Sequence, residues 1–321
     1  MGRRPVLWLL VLMVSFTWVS GKNSGSLAVE KLKYGSAPRE SIIQNLPVFA
    51  ALDRGFWKEN GLEISWVRTG SSRDLFRGII SGDLEMATTI APSVVQGVVG
   101  GLPIKIISDL HKDSFSFWVI TDSRITKPEH IKGAKIGVLG MGTTAHAYGR
   151  MVAKALGLEK EVRFVASGST TNTVAALVAG AIDASVSGSE AITPLKVAGR
   201  VRELVNVDDY RPKEWLAYVH FASKMAAGSR PEVMKKANRA ILQATRFILE
   251  DRSWTIEKIK QEFHWSEEAA RDIYARLSYS KTGRSDAQAL RNVANLLIEF
   301  GIVPKEKVPR LEDIYTNEFL S

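Results

Sequence analysis

Cysteine is absent from the 321 residues. That excludes disulfides, thiol nucleophiles, Cys-based zinc sites and the lipid-bearing cysteine of a bacterial lipoprotein. Histidine is scarce, with five residues at 111, 130, 146, 220 and 264 and no close pair, so no metal centre is expected. Neither a Gly-x-Ser-x-Gly elbow nor a His-Glu-x-x-His helix occurs, which removes two common hydrolase designs. Gly140-Met141-Gly142 begins a dinucleotide-type loop, but no acidic residue stands at a clear strand end about 20 positions later, so no nucleotide cofactor is expected. Apolar runs long enough to span a bilayer are missing beyond the first twenty residues.

The charge is unbalanced, 43 basic against 34 acidic residues for a net +9. The excess is not gathered into a stripe: Lys and Arg alternate with Glu and Asp through 224–252 and 257–276. The expected face is a solvated basic surface that attracts small anions, not a nucleic-acid interface. With 45% hydrophobic residues, the chain has material for a substantial core, and its length suits about two domains.

The first residues read as an export signal. Arg3 and Arg4 form a basic start, Val6 to Val19 is an apolar stretch, and Val19-Ser20-Gly21 offers small residues at a cleavage site. The stretch is about 14 residues, short for a membrane span of about 20. Residues 1–21 are therefore expected to be a signal peptide, and the mature protein to be periplasmic or otherwise extracytoplasmic.

From residue 32 onward, strand-like and helix-like segments alternate. Leu32–Ser36, Leu62–Arg68, Leu84–Thr89 and Ile104–Asp109 read as strands, with helices over Gln44–Glu59, Arg73–Ser81 and from Ala91 to about Gly100. A strongly β-forming run follows at Phe115–Thr121. The rhythm then restarts with strands at Lys135–Leu139, Val162–Val165 and Ala184–Val186, and helices at Ala145–Leu156, Asn172–Ala179 and Ala191–Ala198. Trp215–Ala222 is again strand-like, and the remainder reads as helices. Such alternation predicts an α/β protein with mostly parallel sheets. The economical arrangement is a first lobe from 30–117 plus 222–321 and a second from 122–216, joined by hinge segments at 115–121 and 215–222. A short near-repeat supports two related units: Gly82-Asp83-Leu84-Glu85-Met86-Ala87 against Gly180-Ala181-Ile182-Asp183-Ala184-Ser185.

Several stretches carry a resemblance. Leu46-Pro47-Val48-Phe49-Ala50-Ala51 and Arg54-Gly55-Phe56-Trp57-Lys58-Glu59-Asn60-Gly61-Leu62-Glu63-Ile64, with Ser81–Ala87, Ile131–Val138 and Ala179–Ala184, resemble the nitrate/sulfonate/taurine-type substrate-binding proteins of ABC importers. That superfamily also contains thiamine-pyrimidine binding proteins and a related synthase. The resemblance implies a periplasmic-binding-protein fold of the second type, with a ligand cleft between two lobes that close about a hinge. It also implies a membrane permease and cytoplasmic ATPase subunits as partners, and a monomer that needs no cofactor or catalytic residue.

In open α/β sheets, ligands sit where strand carboxyl ends meet helix starts. The candidates there are Ser36 and Arg39 after the first strand, Gly70, Ser71 and Ser72 before a helix, and Thr89 at the third strand. Gly142, Thr143 and Thr144, then Ser169, then Ser189 and Glu190 hold corresponding places in the second unit. Hydroxyls and free helix N–H groups suit a small anion such as a sulfonate, carboxylate or nitrate. Glu190 is the exception. Facing the cleft, it favours a ligand with a cation or N–H donor; at the start of its own helix, it merely complements the dipole. Trp118 and Tyr148 are able to stack on a ring but suit packing equally. The competing functions are a thiamine-pyrimidine-type binder, a related enzyme, and a sensor domain reporting to a membrane partner.

Overall fold

The computed structural model describes residues 29–112 and 115–320, together with Gly2. The signal-peptide reading of 1–21 lies, Gly2 apart, outside the described residues.

The first unit runs β1 (Glu30–Ser36), α1 (Ile42–Asp53), α2 (Phe56–Glu59), β2 (Leu62–Arg68), α3 (Ser72–Ser81), β3 (Met86–Ile90), α4 (Ala91–Val99) and β4 (Ile104–His111). The second runs β5 (Phe115–Ile120), β6 (Lys135–Val138), α5 (Thr144–Ala155), β7 (Arg163–Ala166), α6 (Thr170–Val178), β8 (Ala184–Gly188), α7 (Thr193–Val197) and β9 (Val201–Asn206). The chain then returns as β10 (Tyr218–Ser223). Helices α8 (Lys224–Ser229), α9 (Pro231–Glu250), α10 (Arg252–Phe263), α11 (Glu267–Arg276), α12 (Ala287–Glu299) and α13 (Leu311–Ile314) complete it.

The strands form two five-stranded sheets of the same design, β2-β1-β3-β10-β4 and β7-β6-β8-β5-β9. In each, four strands share a direction and one runs against them: β10 lies antiparallel to β3 and β4, and β5 antiparallel to β8 and β9. The reversed strand is in both cases the first one laid down after the chain arrives from the other sheet. The chain therefore passes between sheets just after His111 and between Asn206 and Tyr218. The expected hinge segments 115–121 and 215–222 consist largely of β5 and β10 themselves, each embedded in a sheet. This is a two-lobed α/β arrangement with mixed, predominantly parallel sheets.

The near-repeat has a physical cause. Glu85 and Asp183 occupy equivalent positions. Glu85 accepts the Lys33 backbone N–H at 3.0 Å, and Asp183 accepts that of Lys135 at 2.8 Å. Their own N–H groups donate back to the same residues' carbonyls at 2.9 Å. Each carboxylate thus ties the turn before one strand, β3 or β8, to the parallel strand beside it, β1 or β6. The neighbouring apolar residue, Leu84 or Ile182, packs over a glycine of that first strand. A Cβ on Gly35 would lie 2.7 Å from Leu84, and one on Gly137 2.2 Å from Ile182.

Three local expectations change. The helix expected over Gln44–Glu59 is two helices: α1 starts at Ile42 because Ser41 caps it, and Gly55, left-handed at φ 77°, breaks the chain before α2. β9 was not expected, because its Arg202-Glu203 pair interrupts the apolar alternation; it is a half-exposed edge strand. The segment expected as one helix over Ala191–Ala198 is a 3-10 turn at Ser189–Ala191 followed by the short α7.

The long α9 packs its apolar side on α1 and α2, so the C-terminal helices cover the first lobe. They also reach the second. Lys196 of α7 pairs with Asp272 of α11 at 2.6 Å, Arg276 of α11 with Glu203 of β9 at 3.3 Å, and Lys154 of α5 with Glu299 of α12.

Candidate functional site

The start of α1 receives a contact from the second lobe. Ser41 to Val48 are all buried, although a surface helix would expose one face. Helices α9, α2 and α10 of the first lobe pack on it, and from the second lobe Glu190, just beyond β8, reaches across to the start of α1. Its carboxylate accepts from Ser41 Oγ at 3.1 Å and from the Ile43 N–H at 3.2 Å, with the Ile42 amide and the Tyr218 hydroxyl also in hydrogen-bond contact. Helix N-termini leave N–H groups without intrahelical partners and carry partial positive charge, so α1 is an anion subsite that the chain itself fills. Glu190 complements a helix dipole, but that of a helix about 150 residues earlier rather than its own. Burial pushes its carboxyl up to about 7, against the lowering effect of these four donors.

Tyr218, a Glu190 donor, stands edge-on to His111, which in turn meets Tyr279 at 4.8 Å between centroids. The Tyr279 hydroxyl donates to the Ile43 carbonyl at 2.8 Å, and His111 Nε2 accepts the Ser278 N–H at 2.8 Å. Burial lowers His111 to about 3, so it stays neutral and keeps that acceptor. The result is a closed ring of contacts joining Glu190, the start of α1 and the first passage between lobes.

The other candidates divide. Ser36 is buried and fully engaged, donating to Asn45 Oδ1 at 2.6 Å and accepting from Trp66 Nε1 at 2.9 Å. Arg39 is exposed and donates to the Arg68 carbonyl at 3.4 Å. Gly70 is exposed, and Ser71 caps α3 while donating to Asp74 at 2.7 Å. Ser72 and Thr89 are brought together, their hydroxyls 2.7 Å apart. In the second lobe, Gly142 takes the left-handed conformation and donates its N–H to His146 Nδ1 at 3.1 Å. Thr143 caps α5, and Ser169 caps α6. Ser189 is buried, its carbonyl accepting from Thr193 at 2.9 Å. Trp118 lies wholly in a small core with Leu177, Ile182, Ile192 and Val201, and the Tyr148 hydroxyl accepts from Trp215 at 2.9 Å; both are packing residues.

Thr144 differs from these. It is buried at the first position of α5, and its hydroxyl has no partner among the described residues. Several buried side chains share that property among the described residues, including Gln44, which was not one of the expected residues, and Ser187, which stands with Ser189 and Glu190 in the second unit's last turn. Gln44, fully buried on α1 beside the Glu190 contact, leaves both amide atoms unpartnered, and the Ser187 hydroxyl does the same at the end of β8. Ser41-Ile42-Ile43-Gln44 reads as a capping box, a signal in the sequence that marks the start of α1. Only half of it forms: the Gln44 N–H donates to Ser41 Oγ at 3.3 Å, while the Ser41 N–H goes to the Pro38 carbonyl. The Gln44 side chain is released from capping and held without a partner among the described residues.

Residues 43–253 match the family described as NMT1/THI5 like. The chain belongs to that family. Its relatives include the 4-amino-5-hydroxymethyl-2-methylpyrimidine phosphate synthase of Aspergillus parasiticus, 23% identical over 296 residues that make up 86% of this chain and 83% of that one. The taurine-binding periplasmic protein of Escherichia coli (strain K12) is 25% identical over 198 residues, 61% of this chain and 60% of its own length. Among solved structures, the periplasmic aliphatic sulphonate binding protein SsuA from Escherichia coli superposes with a TM-score of 0.76 at 15% identity, covering 88% of this chain and 91% of that one. The fold is that of the periplasmic binding proteins, as the motifs implied.

Proposed function

We propose that this protein is an extracytoplasmic solute-binding protein of an ABC importer. It captures a small polar solute between its lobes and delivers it to a membrane permease served by cytoplasmic ATPase subunits. The carrying observation is the pair of buried polar side chains without a partner among the described residues at helix starts in different lobes, Gln44 on α1 and Thr144 on α5. A buried polar group without a partner costs about 1–3 kcal/mol, and a solute that supplies the missing partners recovers that cost. The solute class is a small sulfonate, carboxylate or nitrate-like anion held by neutral donors. Because Glu190 already holds the N-terminus of α1, the anionic group belongs at the start of α5, near Thr144. A second, cationic group on the same solute would pair with Glu190. Taurine, which the Escherichia coli relative is named for binding, has both groups.

Isothermal titration with taurine, a simple alkanesulfonate and nitrate tests this. Thr144→Asp is expected to weaken binding more than tenfold, about 1.4 kcal/mol, and Thr144→Ala less, because backbone donors at the α5 start remain. Unchanged affinity in both Thr144→Asp and Gln44→Ala would place the site elsewhere.

One observation favours a second reading. Glu190, with its carboxyl raised to about 7, is able both to accept from and donate to a neutral heteroaromatic ring. A thiamine-type aminopyrimidine that binds where every sulfonate fails would favour this reading, in line with the Aspergillus relative.

A further inference from the structure

A cavity of about 610 Å³ is lined by residues next to both passages between the sheets and by the loop before α12. Asp109, only 5% exposed at the end of β4, lies in its wall. Ser280 and the Leu110 amide hydrogen-bond to its carboxyl, yet Oδ1 has no donor among the described residues. Around the opening stand Lys112, Lys213, Lys281 and Arg284. This chain pairs its charges freely, often within one helical turn. Still, no described carboxylate lies within ion-pair distance of Lys213, Lys281 or Arg284. The two remaining acids of the wall do not neutralise them: Asp286 is the N-cap of α12, accepting the Ala289 N–H at 2.8 Å, and Glu214 is exposed.

Unpaired cations around a cavity select an anion. A buried carboxylate oxygen in the same wall rejects one, unless the anion brings a proton to donate. We infer that this cavity is a binding site for a protonated oxyanion of the phosphate type, whose P–O–H group donates to Asp109 Oδ1 while its charged oxygens meet Lys281, Arg284 and Lys213. Inorganic phosphate keeps a proton at neutral pH, and sulfate has none. The carboxylate therefore sets a preference for phosphate over sulfate, opposite to the sulfonate preference proposed for the cleft. The inference does not rest on the solute-binding reading.

The test is titration of inorganic phosphate and of sulfate, at equal ionic strength and neutral pH. Phosphate is expected to bind on the order of a hundredfold more tightly than sulfate, because a site built around a donated hydrogen rejects an analogue lacking it. Asp109→Asn, which offers an N–H, is expected to abolish that preference. Lys281→Ala combined with Arg284→Ala, both exposed and outside the core, is expected to weaken phosphate about tenfold or more with the thermal midpoint unchanged. Equal binding of the two anions by the native protein overturns the inference, as does the absence of phosphate binding at millimolar concentration. Loss of phosphate binding in Thr144→Asp but not in the Lys281/Arg284 variant would assign the anion to the cleft and overturn it as well.

Discussion

Glu190 shows how much one side chain decides at the residue scale. Its folded carboxyl titrates near 7 instead of near the usual 4.5, with burial the dominant cause. A carboxyl raised on folding stabilises the protein fully below its unfolded value and loses that stabilisation as pH rises through its folded value. Stability should therefore fall between about pH 5 and pH 7, with a slope of up to about 1.4 kcal/mol per pH unit. Glu190→Gln removes the titration, so chemical denaturation of that variant should lose this part of the slope and at pH 8 should match or exceed the native protein. A native profile that Glu190→Gln leaves unaltered would show that the four donors around the carboxylate offset its burial. In the sequence, Glu190 was visible as an oddity among hydroxyl-bearing turns, but its partner was not. The contact joins positions 190 and 41, and only the pairing of lobes brings them together. Gln44 was hidden for a related reason. A glutamine at the third position of a helix reads as a cap, and its burial by distant elements leaves no local trace.

At the scale of elements, most of the fold was legible. Strand and helix segments follow from apolar periodicity bounded by glycine turns, and the near-repeat marks the same structural joint in each lobe. That joint makes a specific demand on Gly137. An added methyl would meet the side chain of Ile182 in the turn before β8 at 2.2 Å and that of Thr173 on α6 at 3.1 Å. Gly137→Ala should cost about 1–3 kcal/mol through overpacking. The double variant Gly137→Ala, Ile182→Val should recover part of it, measured by urea denaturation. Equal stability of Gly137→Ala and the native protein would show that Ile182 simply turns aside. Capping offers a second check. Ser41→Ala removes both the cap on Gln44 N–H and the donor to Glu190, and should cost about 1–2 kcal/mol, more than the same change at Ser169, which caps α6 within its own lobe. The elements that escaped sequence reading are those without strong periodicity. β9 is an edge strand interrupted by charge, and the break between α1 and α2 depends on one left-handed glycine.

For the whole molecule, the sequence indicated two crossings but not how far the lobes are held together. Four groups of contacts tie them: Glu190 on the start of α1, Lys196 on Asp272, Arg276 on Glu203, and α5 on the end of α12, where Arg150 lies 4.6 Å from the Phe300 ring and donates to its carbonyl at 2.9 Å. The ion pairs are partly exposed, and such pairs contribute only about 0–1 kcal/mol each. Their sum is comparable to the differential affinity by which a solute shifts an open-to-closed balance. Removing two of them should therefore move the unliganded protein measurably toward an open form, since about 1.4 kcal/mol changes the ratio of states tenfold. Lys196→Ala with Arg276→Ala is expected to enlarge the radius of gyration in small-angle scattering. A solute that spans the start of α1 and the start of α5 should restore the native value, because it replaces the lost ties with contacts made only when the lobes meet. If the radius of the double variant equals that of the native protein with and without solute, the C-terminal helices hold the lobes as one rigid body. Solute would then have to enter by local opening around Glu190 and not by movement at the two passages.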